Sequence, residues 1–149
     1  MDENSCPNSQ KGKKSLDCWL QMIRTYDHLQ NQVAVLLQTH NLTVPQFEVL
    51  STLAVASCTN QQELAARLQV TKGNLVGLID RLTERGLVER VQVPGDRRVN
   101  KVRITDGGKE LLGKAFPEQV GVVETMMSGL DEPELETLTG LMQRLNVQD

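Results

Sequence analysis

Aromatic side chains are scarce in this sequence: one Trp, one Tyr and two Phe among 149 residues, 3% in all. With so few rings, the core must come from Leu, Val, Ile, Ala and Met, which suits packed helices. Cysteine is also sparse. Cys6, Cys18 and Cys58 make an odd count without a Cys-x-x-Cys spacing, which argues against a disulfide framework or a structural zinc site. No run of about 18 apolar residues occurs, so no membrane span is expected. The opening MDENSCPNSQKGKKS is polar and lacks the apolar stretch of a secretory signal. Residues 1–15 are therefore expected to form a flexible arm on a cytoplasmic protein.

Signs of catalysis are missing too. His28 and His40 are the only histidines, and no His, Cys or carboxylate cluster has metal-ligand spacing. Neither a metal nor another cofactor is expected. No local motif pairs a nucleophile with a base, so an enzyme is not expected. The nearest approach to a phosphate loop is Gly108-Lys-Glu-Leu-Leu-Gly113-Lys114. It continues with Ala115, where Ser or Thr is required, and reads as a helix interior rather than a strand-to-helix loop.

What is present is an uneven charge. The net charge of −3 hides a basic island: residues 67–103 hold nine Lys/Arg against four acids, a local +5. Residues 108–149 hold three basic and eight acidic residues, a local −5. The local field, not the whole-chain balance, is what a phosphate backbone meets.

Hydrophobic periodicity orders the chain. Leu16, Trp19, Leu20, Ile23, Tyr26, Leu29, Val33, Leu36 and Leu37 recur at three- and four-residue steps, predicting one helix from Leu16 to His40. At 1.5 Å per residue it would be ~37 Å long, more than a monomer of this size covers, so a second chain is the natural cover. Thr43-Val-Pro-Gln46 and Asn60-Gln-Gln-Glu63 read as capping boxes opening two further helices. After a break at Gln69-Val70, Thr71 caps a helix whose buried face is Leu75, Leu78, Ile79 and Leu82, and Gly86 ends it in a left-handed turn. The period then changes to two: Leu87–Val93 and Val99–Ile104 read as strands about a Pro94-Gly95-Asp96 turn. Thr105 starts a helix to about Met127 that Pro117 is expected to kink, and Asp131-Glu-Pro-Glu134 opens the last one.

Two short helices, a tight turn and a basic two-stranded hairpin describe a winged helix-turn-helix. Such a motif inserts its second helix into the major groove, N-terminus first. Thr71, Lys72, Gly73, Asn74, Gly77 and, one turn on, Arg81 are the residues expected to face DNA. Gly73 and Gly77 lie opposite the buried face, and each costs about 1 kcal/mol relative to Ala inside a helix. Their bareness would let the backbone approach the groove, while Asn74 pairs with adenine and Lys72 reaches a guanine edge or a phosphate. The blander reading is a solvated face with two tolerated glycines. On the hairpin, Arg97, Arg98 and Lys101 form a basic tip suited to the narrow minor groove, with Asp96 orienting Arg98. An ordinary mixed-charge hairpin would look the same in isolation.

Residues 43–113 resemble the multiple antibiotic resistance regulator (MarR) family of transcription factors. The resemblance rests on Leu42-Thr43-x-x-Gln46-Phe47, Glu63-Leu64-Ala65, Leu68, Val76, Asp80-Arg81-Leu82, Gly86-Leu87-Val88 and Arg90. Its most specific stretch is Asp96-Arg97-Arg98 leading to Ile104-Thr105-x-x-Gly108. Gly73 and Gly77 depart from it by making the recognition helix barer than in many relatives. The resemblance implies a homodimer joined by its terminal helices, a pseudo-palindromic operator with half-sites about one turn apart, and release from DNA by a ligand or an oxidant. It also implies two further candidate sites. A small-molecule effector would lie between the dimer helices and the DNA-binding lobe, lined by Trp19, Ile23, Tyr26, Phe47 and Leu50, residues that plain core packing also explains. Cys18, near the start of the first helix and the Lys11-Lys13-Lys14 cluster, is where some relatives sense peroxide. A buried structural thiol is the competing reading.

The expected fold is mainly α with a small β-hairpin wing. An arm at 1–15 precedes a dimerisation helix at 16–42, a winged helix-turn-helix at 43–107 and C-terminal dimerisation helices at 108–149. The expected function is that of a sequence-specific regulator, a repressor, on double-stranded DNA. The alternative is a winged helix used for protein assembly without DNA readout.

Overall fold

A computed structural model describes residues 10–56, 59–93 and 96–146, with only the backbone at 93 and 96–100. The described residues form six helices and a small sheet, in the order α1 (Gln10–Thr39), α2 (Val44–Ala56), β1 (Thr59–Asn60), α3 (Gln61–Leu68), α4 (Lys72–Glu84), β2 (Val88–Val93), β3 (Asp96–Ile104), α5 (Asp106–Met127) and α6 (Glu132–Asn146).

The predicted start signals are made of real hydrogen bonds. Thr43 Oγ1 accepts from Gln46 N at 3.4 Å, and Gln46 Oε1 accepts from Thr43 N at 3.0 Å, closing the box at the head of α2. Asn60 Oδ1 accepts from Glu63 N at 2.8 Å. The return half of that second box is diverted, because Glu63 Oε2 accepts instead from Thr59 Oγ1 at 2.7 Å. Thr71 Oγ1 caps α4 through Asn74 N at 3.3 Å. Between α3 and α4 the chain turns through Gln69 in the left-handed region (φ 53), and Gly86 (φ 69) follows α4 in the same region. Asp131 and Glu134 cap α6 reciprocally, at 2.9 Å each way.

Three expectations need correction. Residues 10–15 are not part of an arm: α1 begins at Gln10, since the Gln, Lys and Ser there are acceptable helix formers and only Gly12 opposes them. The sheet has three strands in the order β1-β3-β2, because Thr59 and Asn60 pair antiparallel with Val102 and Lys101. The helix α5 carries Pro117 in its interior. The hairpin pairs Val88 with Ile104 through Gln92 with Asn100, and its register shifts at Gln92/Val93. Asp96, expected in the turn, instead opens β3 and pairs with Val93, so this strand starts three residues before Val99; Pro94 and Gly95 of the expected turn lie outside the described residues.

The core is aliphatic, as the shortage of rings requires. Leu37, Leu50, Leu53, Leu64, Leu75, Ile79, Leu82, Val49, Val88 and Val102 are fully buried. These come from the end of α1, from α2, α3, α4 and the sheet. By contrast, Val33 and Leu37 are the only buried residues of α1, and α6 buries none. Leu16, Trp19, Leu20 and Ile23 on α1 and Leu138, Leu141, Met142 and Leu145 on α6 stay exposed.

One seam joins the end of α4, the base of the β2–β3 hairpin and α5. Thr105 N donates to Leu87 O at 3.1 Å, and Thr105 Oγ1 donates to Gly86 O at 2.6 Å. The same hydroxyl accepts from Gly108 N at 3.1 Å and caps α5. Gly108 lies so close to this seam that a Cβ there would meet Leu87 O at 2.1 Å. Gly108→Ala is therefore expected to lower the unfolding free energy by about 2–3 kcal/mol through forced overpacking. Gly113→Ala, whose Cβ would meet nothing within 4 Å, should raise it by up to about 1 kcal/mol. Urea titration at one fixed protein concentration compares them, and equal stabilities would contradict the packing argument.

Candidate nucleic-acid interface

Helix α4 follows α3 through the Gln69-Val70-Thr71 turn and turns Leu75, Ile79 and Leu82 into the core. That fixes the opposite side outward: Thr71, Lys72, Gly73, Asn74 and Arg81 are exposed and Gly77 is partly so. A shallow groove of about 380 Å³ runs along this side, lined by Gly73, Asn74, Gly77 and Arg81 with Pro45 and Val70 among its walls. The structure thus gathers four of the six residues expected on the reading helix around one groove, with Thr71 and Lys72 at its N-terminal end. A Cβ added at Gly73 or Gly77 would meet nothing within 4 Å, so the fold itself does not require either glycine.

Lys101 belongs to the central strand β3, opposite Val91 and Asn60, rather than to the hairpin tip. The side chains of Asp96, Arg97 and Arg98 lie outside the described residues, and with them the expected Asp96–Arg98 contact.

Electrostatics sorts the basic island into two groups. Arg90 pairs with Asp80 at 2.5 Å, tying β2 to α4, and Arg103 pairs with Glu89 at 2.5 Å across the hairpin. Arg85 donates to the Asn41 carbonyl at 2.6 Å. Among the described residues, Arg67, Lys72, Arg81 and Lys101 have no ion-pair partner. Sequence reasoning counted all nine cations alike. The missing signal was which partner each cation meets in space: an acid on α4 for Arg90, an acid across the hairpin for Arg103 and a carbonyl for Arg85.

The expected effector site is only partly assembled. Tyr26 and Phe47 line a cleft of about 640 Å³ with Ser51, Arg67, Gln69 and Phe116 among the other wall residues. Leu50 is fully buried in the core, while Trp19 and Ile23 lie on the exposed stripe of α1, away from this cleft. Phe47 stacks on Phe116, ring centres 6.3 Å apart and planes 14° from parallel. Ser51 Oγ is buried without a hydrogen-bond partner among the described residues. Ser51, Arg67 and Phe116 were missed because they come from three helices that periodicity treats separately.

Cys18 is exposed rather than buried and shares a surface cleft with Lys11, Lys14 and Leu145. Cys6 and Cys58 lie outside the described residues. His28 is exposed, and His40 Nε2 stands 3.0 Å from Glu118 Oε2. Among the described residues, no group of three or more His, Cys, Asp and Glu gathers to hold a metal, and no helix is long and apolar enough to cross a membrane. Gly108–Lys114 lies within α5, not on a loop.

The MarR family profile matches residues 42–99. Over 121 residues the chain is 31% identical to the multiple antibiotic resistance protein MarR of Escherichia coli, covering 80% of this chain and 81% of that one. The chain belongs to the MarR family. It is also 27% identical to the transcriptional regulator MhqR of Bacillus subtilis, over 91% of this chain and 93% of that one. Its fold superposes on a cysteine-to-serine variant of Escherichia coli MarR complexed with operator DNA, with a TM-score of 0.81, 26% identity, and coverage of 92% of this chain and 99% of that one.

Within this MarR-family fold, the residues that carried the resemblance have physical roles. Asp80 and Arg90 tie the wing to α4, while Gly86, Leu87, Thr105 and Gly108 build the seam. The Asp80–Arg90 side chains are 48% and 38% exposed, so solvent screening discounts the pair to below about 1 kcal/mol. A double-mutant cycle on Asp80→Ala and Arg90→Ala, read by urea unfolding, should give a coupling of that size that shrinks with added salt. A coupling several times larger, indifferent to salt, would contradict this assignment.

Proposed function

We propose that this protein is a sequence-specific double-stranded-DNA-binding transcriptional regulator, acting as a homodimer and repressing until an effector releases it. The observation that carries the reading is the outward side of α4: an exposed helix N-terminus followed by a bare groove, with Lys72 and Arg81 unpaired among the described residues. A major groove is read by such a helix, and cations without a protein partner are the ones available to phosphates. Thr71, Gly73, Asn74 and Gly77 are proposed to lie along base edges, and Arg97, Arg98 and Lys101 to serve the wing. The relative bound to operator DNA supports this use of the fold.

Dimerisation is supported by the uncovered apolar faces of α1 and α6, the parts of the chain with least core of their own. A second copy buries both, and its recognition helix supplies the other half-site. The cleft at Phe47 and Phe116 is the proposed effector site. Its stacked rings suit a small aromatic molecule, and Arg67 with the unpartnered Ser51 hydroxyl suits an acidic group on that molecule. Cys18, exposed beside Lys11 and Lys14, is proposed as a second input, through oxidation. The protein is proposed to work in the cytoplasm and to carry no enzymatic activity.

Genomic fragments selected for binding provide the test, followed by fluorescence anisotropy across a salt series. Affinity should fall steeply with salt, and Lys72→Ala or Arg81→Ala should each reduce the log–log slope by about one. Arg103→Ala, whose guanidinium is committed to Glu89, should change it far less. Asn74→Ala should relax base preference, while Arg97→Ala should weaken binding to many sequences alike. Salt-independent binding would exclude this reading and favour protein assembly. For Cys18, equal operator binding by wild type and Cys18→Ser before and after peroxide would remove the redox input.

A further inference from the structure

One cation of the basic island is committed to a main-chain contact with another part of the fold. Arg85 closes α4, at the opposite end from Thr71 and Lys72. Its Nη1 donates to the main-chain carbonyl of Asn41, 44 residues away, at 2.6 Å. Asn41 stands just past the end of α1 in the left-handed region (φ 54), where Asn41 N returns to Gln38 O and Leu42 N to Leu37 O. A helix end carries partial negative charge and unsatisfied carbonyls. The last turn of α1 has no basic residue of its own. The guanidinium that meets this end is contributed by α4.

The contact matters because of what the two helices do. The helix α1 is 30 residues long, about 45 Å. Its first half presents the uncovered apolar face, and its second half is packed into the core through Val33 and Leu37. It packs chiefly on α5 and α2, whereas α4 packs on α3, β2 and α2. The Arg85–Asn41 bond therefore joins the dimer strut directly to the recognition helix, without passing through an intermediate element. The bond adds a restraint to the core packing of Leu75, Ile79 and Leu82, and so biases the pitch of α4, whose N-terminal end lies about 20 Å away and moves with any tilt. Two recognition helices in a dimer must match half-sites about 34 Å apart, and one base pair amounts to about 3.4 Å.

We propose that Arg85 is a positioning residue that fixes the separation and pitch of the two recognition helices, and hence the spacing between operator half-sites that the dimer accepts. The proposal rests on the DNA-binding reading given above. Arg85 acts through α4 and does not itself touch DNA.

The test uses the intact protein, an operator obtained by genomic selection, and copies of it whose central spacer is lengthened or shortened by one and two base pairs. Wild type should prefer the native spacer. In Arg85→Ala the preference should shrink by about fivefold, the low end of coupling factors carried between sites. Affinity should fall on the native spacer and hold or rise on the altered ones. The salt slope should stay at the wild-type value, and Arg85→Lys should restore part of the preference, since an ammonium can still reach the carbonyl. Four outcomes overturn the proposal. A uniform loss with a slope reduced by about one makes Arg85 a phosphate contact. A uniform loss with a lowered melting temperature makes it structural only. An unchanged spacing profile makes the bond idle. Failure of wild type to bind any selected fragment removes both this inference and the regulator reading, whereas the first three leave that reading standing.

Discussion

The start of α5 presses its backbone against the carbonyl of Leu87, and the layout of the DNA-binding lobe depends on that approach. No side chain fits between them, so Gly108 is fixed by the neighbour rather than by its own dihedrals. Thr105 uses both its N–H and its hydroxyl at the same place, donating to Leu87 and Gly86 while capping α5. The end of the recognition helix, the base of the wing and the root of the C-terminal helices meet there within a few residues. A change in the direction of α5 must move the wing and α4 with it, because the junction has no flexible spacer.

Charge is divided by task. Arg90 and Arg103 serve as cross-braces on the outside of the lobe, where partial exposure keeps each pair weak. Such pairs add little stability, but they fix side chains that would otherwise extend into solvent and leave the field of Lys72 and Arg81 undistracted. The basic island counted along the sequence is thus smaller as seen by a ligand, and more directed. Acidic residues concentrate on the C-terminal helices, so repulsion disfavours nucleic acid at the wrong end of the molecule.

Most of the fold was legible because local hydrogen-bonding chemistry declares itself. The Thr43–Gln46 box, the Asn60 and Thr71 caps and the Gly86 turn are short-range events whose partners lie three or four residues away. What escaped is non-local or too short. Thr59–Asn60 becomes a strand only because β3 is beside it, and two residues cannot show an alternation. The diversion of the Glu63 carboxylate to Thr59 follows from that same pairing. The exposed side of α4 was legible because the other side is plainly apolar. The cleft was not: α2 reads VPQFEVLSTLAVA, apolar on nearly every side, so periodicity could not tell that Leu50 points into the core while its neighbour Ser51 borders the opening. For Cys18 the sequence left an accessible and a buried thiol both open for a related reason, since a stripe of apolar neighbours looks the same whether its own chain covers it or not.

The shortage of rings has an optical consequence. Trp19 is the only tryptophan, and it stands half-exposed on the uncovered stretch of α1, away from the groove on α4 and outside the cleft at Phe47. Indole emission from this protein therefore comes from a single place, the face that a second copy would cover. The molecule carries a built-in fluorophore that follows its state of association and stands apart from the outward side of α4.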